Sequence, residues 1–349
     1  MSVFNCPGYD GHEQVSFFTD PQTGLKAIVA LHNRSRGPAL GGCRMLPYKS
    51  DEAALEDVLS LSRTMTYKSA LAGLPLGGGK AVIIGDPETD KTPEMMQAMG
   101  RFIESLNGQY IITGDTGVSR DDLRLMARET NHITGLGVPT GDQEPRVGDP
   151  GPATAYGTYV GIQAAVRFAL ERTDLEGLKV AIQGVGHVGR CLAQRLRDAG
   201  AELWVSDSQF DNLERVADEF GATPVDVDEI YGLDVDVFAP CALGSVINNA
   251  TLPLLSANII AGAANNPLAD SRQAQRLQER GILYAPDYVI NAGGVIDVYY
   301  EHIGHHAACL EQYLDGIYDN LMEIFQRAHR ENETTIAVAD RMAEARLAA

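Results

Sequence analysis

Residues 178–207 read LKVAIQGVGHVGRCLAQRLRDAGAELWVSD. Lys179 to Gln183 has the β-branched, apolar pattern of a buried strand. Gly184, Gly186 and Gly189 then complete G-x-G-x-x-G. Val188, Leu192 and Leu196 recur at helical spacing until Gly200 can end the helix. A second strand, Glu202 to Ser206, delivers Asp207, 23 residues past the first glycine. Strand, glycine turn, helix and acid together make a βαβ dinucleotide-binding unit. The first glycine allows the tight turn, the second lets backbone approach a pyrophosphate, and the third lets helix pack on strand. The helix N-terminus offers N–H groups and a positive dipole end to the phosphates. Asp207 is placed to accept hydrogen bonds from a ribose hydroxyl pair and to repel a 2′-phosphate. No Arg or Lys follows it closely, so NAD is favoured over NADP. The cofactor set read from this stretch is Gly184, Val185, Gly186, His187, Val188, Gly189, Asp207 and Ser208. His187 faces solvent in this reading and has no chemistry assigned.

Working outward, 349 residues are enough for two domains, each with its own core. A composition 44% hydrophobic and 21% charged is that of a globular chain. A formal charge of −19 repels nucleic acid and anionic lipid, so no nucleic-acid or membrane partner is expected. No apolar run reaches the ~18 residues of a spanning helix, and MSVFNCPGYDGHE lacks the basic-then-apolar order of a signal peptide. Cys6, Cys43, Cys191, Cys241 and Cys309 are scattered, with no C-x-x-C. A reduced, cytoplasmic protein without a structural metal is the expectation.

In the first half, Leu25 to His32 reads as a strand, and GPALGGCRM (37–45) puts three glycines where backbone can approach something closely. Ser50 caps a helix running past Leu55, Val58, Leu59 and Ser62 toward Met65. MTYKSALAGLPLGGGKAVIIGDP (65–87) suggests a P-loop, but Leu74 stands where its first glycine belongs and Ala81 replaces the Mg²⁺-binding hydroxyl. AVII is moreover a strand, not a helix. Gly77 to Gly79 is therefore expected to admit a flat substrate or nicotinamide beside Lys80. Lys68, at a helix end, and Lys80, at a strand start, lie among small and apolar residues; two surface lysines are the plainer alternative. Thr92-Pro93 starts a helix whose Met95, Met99, Phe102, Ile103 and Leu106 stripe reads as core. Tyr110 to Ile112 is a strand leading to Asp115, either a turn residue or a catalytic carboxylate. Ser119 and Asp122 cap the helix that follows.

In the second half a helix runs from Thr154 toward Leu170. After Asp207 come a helix at 211–220, strands at 235–240 and 258–262, a helix at 269–281 and a strand at 282–285. In open α/β sheets ligands bind beyond the carboxyl ends of the strands. There stand Cys241, Ala242, Asn266 and Asn291, and Thr154, Cys241, Ala242 and Asn266 complete the cofactor set. Cys241 has no adjacent basic group, so a packing role is favoured over a nucleophilic one. His305 and His306 point apart on a helix and make poor joint metal ligands. The tail, 310–347, reads as helical and charged.

GPALGGCRM, MTYKSALAGLPLGGGKAVIIGDP, LEGLKVAIQGVGHVG, FAPCALG, IIAGAANN and GILYAPDYVINAGGV together resemble the glutamate/leucine/phenylalanine/valine dehydrogenase family over nearly the whole chain, and most of all its leucine-specific branch. The resemblance implies an α/β chain of two domains separated by a cleft that closes over substrate. One is an N-terminal substrate and oligomerisation domain, 1–138, with a C-terminal helix, 327–349, packing back on it. The other is a Rossmann NAD-binding domain, 139–326. It implies reversible oxidative deamination of an L-amino acid by NAD to the 2-oxo acid and ammonium, in a homo-oligomer, octamer or dimer. Lys68, helped by Asn291, would bind the substrate carboxylate. Lys80 would bond the oxo oxygen or attacking water, its pKa lowered by a second cation and exclusion of water. Asp115 would shuttle a proton to and from the nitrogen. The pocket walls would be Leu40, Gly41, Gly42, Met65, Thr113, Val295 and Val298. A branched aliphatic substrate is expected first, with phenylalanine or tryptophan as the alternative. Glutamate is disfavoured because Leu40 stands where a cation is needed. A catalytically inert NAD-binding regulator is a distant rival, since Lys68, Lys80 and Asp115 are all present. Cys43, Thr113-Gly114 and Asp297 depart from the family pattern.

Overall fold

A computed structural model describes residues 2–137, 149–242, 244–304 and 310–349. The chain divides into two units: Met1–Asp149 with Val298–Ala307 and Ala343–Ala349, and Pro150–Asp297 with Ala308–Met342. The expected boundary at 138/139 thus lies earlier than the observed 149/150. Residues 138–148, between the two, are outside the described residues, as are Leu243, His305, His306 and Cys309.

The first unit carries β1 (Gln14–Asp20), β2 (Leu25–Asn33), β3 (Ala39–Leu46), α1 (Asp51–Leu71), β4 (Gly77–Ile84), α2 (Pro93–Ser105), β5 (Tyr110–Gly114) and α3 (Arg120–Met126). Its sheet order is β1-β2-β4-β3-β5. β2 is antiparallel to β1 and β4, while β3 runs parallel to β4 and β5. Alternation in the strands divides the core. Ala27, Val29, Leu31, Ala39, Cys43, Met45, Ala81 and Ile83 meet the Met95–Met99–Phe102 stripe of α2. Ile28, Ala30 and Val82 meet Ala54, Leu55, Val58 and Leu59 of α1 on the opposite face. The caps are those expected: Ser50 accepts from Ala53 N, Thr92 from Met95 N, and Ser119 and Asp122 form a capping box. Lys80 is the fourth of eight residues in β4 rather than a strand start, because Gly77 to Gly79 already pair with β2 and β3.

Two later segments belong to this unit by specific bonds. Thr134 Oγ1 donates to Val298 O at 3.2 Å, and Gly135 N and Gly137 N both donate to Glu301 Oε1 at 3.1 Å. Tyr67 OH donates to Glu344 Oε1 at 2.9 Å, while Arg346 Nη1 donates to Leu71 O at 2.7 Å and caps the end of α1.

The second unit contains α4 (Gly151–Ala169), β6 (Lys179–Gln183), α5 (His187–Asp198), β7 (Glu202–Ser206), α6 (Phe210–Phe220), β8 (Thr223–Pro224), β9 (Val237–Pro240), β10 (Ile259–Ile260), α7 (Arg272–Glu279), β11 (Leu283–Tyr284) and α8 (Asp287–Ile290). Next come α9 (Gly293–His302), within which the division falls, then α10 (Leu310–Leu314), α11 (Gly316–Glu331) and α12 (Thr335–Ala348). Its sheet, β11-β10-β9-β6-β7-β8, is parallel throughout. α4 starts three residues before Thr154, so Thr154 lies inside the helix and its hydroxyl donates to Pro150 O at 2.8 Å. β9, β10 and β11 are shorter than their apolar runs. The expected C-terminal helix from 327 is two helices. Asn332, at φ 54°, closes α11 in the left-handed region, and only Ala343–Ala349 joins the first unit.

Two buried histidines tie the segment before β1 to α1. His12 and His32 are 6% and 7% exposed, with ring centroids 4.8 Å apart. His12 Nε2 bonds Leu59 O at 3.0 Å and Ser62 Oγ at 2.9 Å. His32 Nε2 donates to Asp10 O at 3.1 Å, so Nδ1 accepts from the Thr66 hydroxyl at 2.9 Å. Burial first, then the neighbouring His12, lowers His32 to about 4 against the opposing pull of Asp10. An unfolded histidine binds a proton near pH 6.5, which the folded one refuses. Stability is therefore complete above that pH and falls as pH drops from about 6.5 toward 4. Between pH 7 and 5 His32 is expected to cost about 2 kcal/mol. Urea midpoints at the two pH values check it: His32→Gln is expected to show a smaller pH difference than the natural chain.

Candidate active site

Strand alternation sends Gly42, Arg44 and Lys80 to the face of the first sheet that α1 covers. Lys80, 6% exposed, places Nζ 2.5 Å from Asp115 Oδ2. Arg44 Nε reaches the same oxygen at 3.1 Å. The other oxygen, Oδ1, is bonded by neither cation and has the Thr116 hydroxyl at 3.5 Å. Arg44 Nη1 also bonds Asp57 of α1, at 3.1 Å to Oδ2, and Tyr48 OH donates to that oxygen at 2.6 Å. Burial pushes the Asp115 carboxyl up, but Lys80 and Arg44, with the Lys80 bond and the Thr116 N–H, outweigh it. Asp115 is held well below the usual carboxylate range and stays ionised. Sequence reading had not singled out Arg44 or Asp57. The available signal was a guanidinium two residues beyond Gly42 in an otherwise small, apolar strand.

The glycines around this cluster are occupied by the protein itself. A Cβ on Gly42 would lie 2.8 Å from Asp115 Cβ and 3.2 Å from Lys80 Nζ. One on Gly41 would meet Gly79 O at 1.7 Å. One on Gly78 would meet Thr66 N at 2.0 Å, and one on Gly79 the Tyr110 ring at 2.8 Å. Gly77 is closed by Asn33 O at 2.3 Å. The expectation that Gly77 to Gly79 admit a flat ligand is therefore corrected: their missing side chains let α1 and the neighbouring strands close onto β4. That closure brings Thr66, two residues before Lys68, onto Gly78, two residues before Lys80. Lys68 is buried, near the end of α1.

Cys43, one of the departures from the family pattern, stands apart from this cluster. It has no exposure and belongs to the core under α2, where burial pushes its thiol up to about 12. Leu40 is buried and Met65 and Thr113 are half-buried; none is charged. Val295 and Val298 are buried in α9, Val295 in the second unit and Val298 in the first.

In the second unit a cavity of about 480 Å³ opens at the carboxyl ends of β6, β7 and β9, where the strand order reverses. Gln183, Gly184, Gly186, Ser206, Asp207, Ser208, Val227, Cys241 and Ala242 line it. The glycines behave as a dinucleotide turn requires. Gly184 has φ +89°, and a Cβ there would strike Ala242 N at 2.7 Å; one on Gly189 would strike Gly184 O at 2.0 Å. Gly186 alone faces open space, with nothing within 4 Å, and no side chain caps the first turn of α5. Backbone N–H groups and unfilled volume thus fit a pyrophosphate. Asp207 Oδ2 accepts from Val185 N and Oδ1 from Gln209 N, both at 2.8 Å, so its carboxylate also fixes the glycine loop.

Val185, His187, Val188, Gly189, Thr154 and Asn266 do not line this cavity; Val185 and Gly189 are buried, and His187 is exposed. Gln183, Ser206 and Val227 line it without having been anticipated. Burial pushes the Cys241 thiol up to about 12, as a packing residue requires. Asn291 is buried. Its Nδ2 donates to Ala263 O and Asn265 Oδ1, while Oδ1 has no hydrogen-bond partner among the described residues.

Residues 12–132 match the family model described as Glu/Leu/Phe/Val dehydrogenase, dimerisation domain, and residues 202–348 that of Glutamate/Leucine/Phenylalanine/Valine dehydrogenase. Leucine dehydrogenase of Geobacillus stearothermophilus is 50% identical over 99% of this chain and 94% of its own. Phenylalanine dehydrogenase of Caldalkalibacillus thermarum is 44% identical, over 99% and 94%. The crystal structure of L-tryptophan dehydrogenase from Nostoc punctiforme superimposes with a TM-score of 0.83 at 46% identity, covering 97% of this chain and 96% of that one. With its Gly-x-Gly-x-x-Gly unit and its lysine–carboxylate cluster, this chain belongs to the Glu/Leu/Phe/Val dehydrogenase family and is an amino-acid dehydrogenase that works with a nicotinamide cofactor.

Proposed function

We propose that this enzyme oxidatively deaminates leucine and similar branched-chain L-amino acids with NAD, reversibly giving the 2-oxo acid and ammonium. The observation that carries the reaction is the Lys80–Asp115 contact of 2.5 Å, buried against the side-chain-free Gly42. Bound NAD supplies the acceptor for the hydride that leaves the substrate Cα. Lys68 holds the substrate carboxylate by charge. Lys80 orients the attacking water, or in reverse the oxo oxygen. Asp115, kept ionised, takes a proton from the substrate nitrogen and returns it. Asn291 contributes its acceptor oxygen rather than its amide, whose hydrogens are already used, and so suits an N–H rather than the carboxylate.

Asp207 supports NAD over NADP, since a 2′-phosphate would meet a carboxylate held in place by two backbone N–H groups. Leu40, Met65 and Thr113 support an uncharged side chain. A glutamate carboxylate among them would lose its water without a partner, whereas each buried CH₂ of an aliphatic substrate gains roughly 0.8 kcal/mol. The match of residues 12–132 to a dimerisation domain, and Phe17, 58% exposed on the edge strand β1, support a homo-oligomer. Among the described residues Cys6, Cys43 and Cys241 are free thiols, which suits a cytoplasmic setting.

Three measurements test this reading. Lys80→Ala is expected to lower kcat by about 10²-fold or more while NAD still binds; near-normal turnover refutes the role. Asp207→Ala with Ser208→Arg is expected to raise the NADP/NAD ratio of kcat/KM, and an unchanged ratio removes the specificity assignment. In a panel of leucine, valine, phenylalanine, tryptophan and glutamate, the aliphatic substrates are expected to lead in kcat/KM. Glutamate in first place overturns the pocket argument, and an aromatic winner overturns only the leucine assignment.

A further inference from the structure

We infer that Arg44 is a positioning residue for proton transfer: with Lys80 it clamps Oδ2 of Asp115 and so leaves Oδ1 as the oxygen that exchanges a proton with the substrate nitrogen. This rests on the reading of Asp115 as the proton carrier. A carboxylate oxygen has two in-plane lone pairs. Lys80 Nζ at 2.5 Å and Arg44 Nε at 3.1 Å both bond Oδ2. Oδ1 is bonded by neither cation and keeps a 3.5 Å contact to the Thr116 hydroxyl, on the next residue. The two oxygens are therefore not equivalent, and the difference is made by Arg44. Lys80 alone, on a flexible stem, could follow either oxygen as the carboxylate turned.

The guanidinium is itself held from its far side. Its Nη1 bonds Asp57 Oδ2 at 3.1 Å, and Tyr48 OH holds that oxygen at 2.6 Å. Two carboxylates on different nitrogens of one planar fork fix its plane, which a lysine's single charged atom does not do. Arginine does not give up its proton in a protein, so this chain of contacts orients and does not relay. The groups facing Asp115 are Lys80 from β4 and Arg44 from β3; the Cys43 thiol of β3 and the Tyr110 hydroxyl of β5 feel its charge from the core on the other face of the sheet. Asp57 of α1 and Tyr48 stand behind Arg44. Burial first raises both Cys43 and Tyr110, which stay neutral, so Arg44 and Lys80 are the charges that matter.

The test is amino-acid oxidation with NAD, followed as NADH absorbance against pH in the full-length enzyme. Asp115→Asn is expected to lose about 10²-fold or more in kcat; if it keeps its activity, the underlying reading fails whatever Arg44 does. Arg44→Gln is expected to lower kcat about tenfold and to move the acid limb of kcat upward by about one pH unit, with KM for NAD unchanged. Arg44→Lys restores the charge but not the fork. It is expected to return the acid limb to its place while kcat stays low. Should Arg44→Gln fail to fold, Asp57→Asn takes its place: it frees the far side of the guanidinium, and kcat is expected to fall with the acid limb no higher than before. The inference is overturned if Asp115→Asn is inactive yet Arg44→Gln, or Asp57→Asn in its place, keeps the natural kcat and acid limb. It is equally overturned if activity is lost only in proportion to the folded fraction.

Discussion

A Cβ on Gly78 would lie 2.0 Å from the Thr66 amide nitrogen and 2.3 Å from its hydroxyl. No side chain larger than hydrogen lets α1 and β4 meet at this distance, and the arrangement of the first unit follows from their meeting. The helix brings the stretch ending in Lys68 onto the strand that bears Lys80. On one flank Gly41 admits the Gly79 carbonyl, and on the other the Tyr110 ring fills the space over Gly79. Tyr110 OH then donates to Gly41 O at 2.7 Å, so the contact is pinned by a hydrogen bond as well as by shape. His32 supports the same point through its bond to Thr66.

Close packing leaves little room for water, which makes the charge balance of the cluster important. Lys80 and Arg44 face Asp115, and Asp57 faces Arg44: two cations and two anions within hydrogen-bonding reach of one another. An ionised carboxylate survives burial here because its partners are fixed before any substrate arrives. The second unit meets a different demand by other means. Its expected ligand carries the negative charge, and the fold answers with backbone N–H groups, an open position at Gly186 and a single acid at the strand end.

The second unit was the more legible in sequence because its signal is local. Strand, turn, helix and acid lie within thirty residues, and each glycine's role follows from its place in the turn. The first unit is assembled from distant pieces, and there local pattern misled. GGGK looks like an opening for a ligand when read along the chain. Across the chain, its three missing side chains are filled by Asn33, Thr66 and Tyr110. Cys43 neighbours the glycines in sequence, yet strand alternation turns it to the opposite face. Arg44 was passed over because its meaning lies in two carboxylates, one thirteen residues away and one seventy-one. The lysines and Asp115 stand out through family resemblance, and of these the structure brings Lys80 and Asp115 into contact at 2.5 Å. The break at Asn332 was missed because charged helical periodicity on either side hides a single left-handed residue.

The last turn of α1 rests on the chain's final segment. Arg346 covers the Ala70 and Leu71 carbonyls, and Glu344 takes the Tyr67 hydroxyl. The C-terminal end of the helix that bears Lys68 is therefore fastened by a residue 275 positions further along the chain. A change of side chain at Arg346 acts on that turn, while the core under α2 is built from other residues.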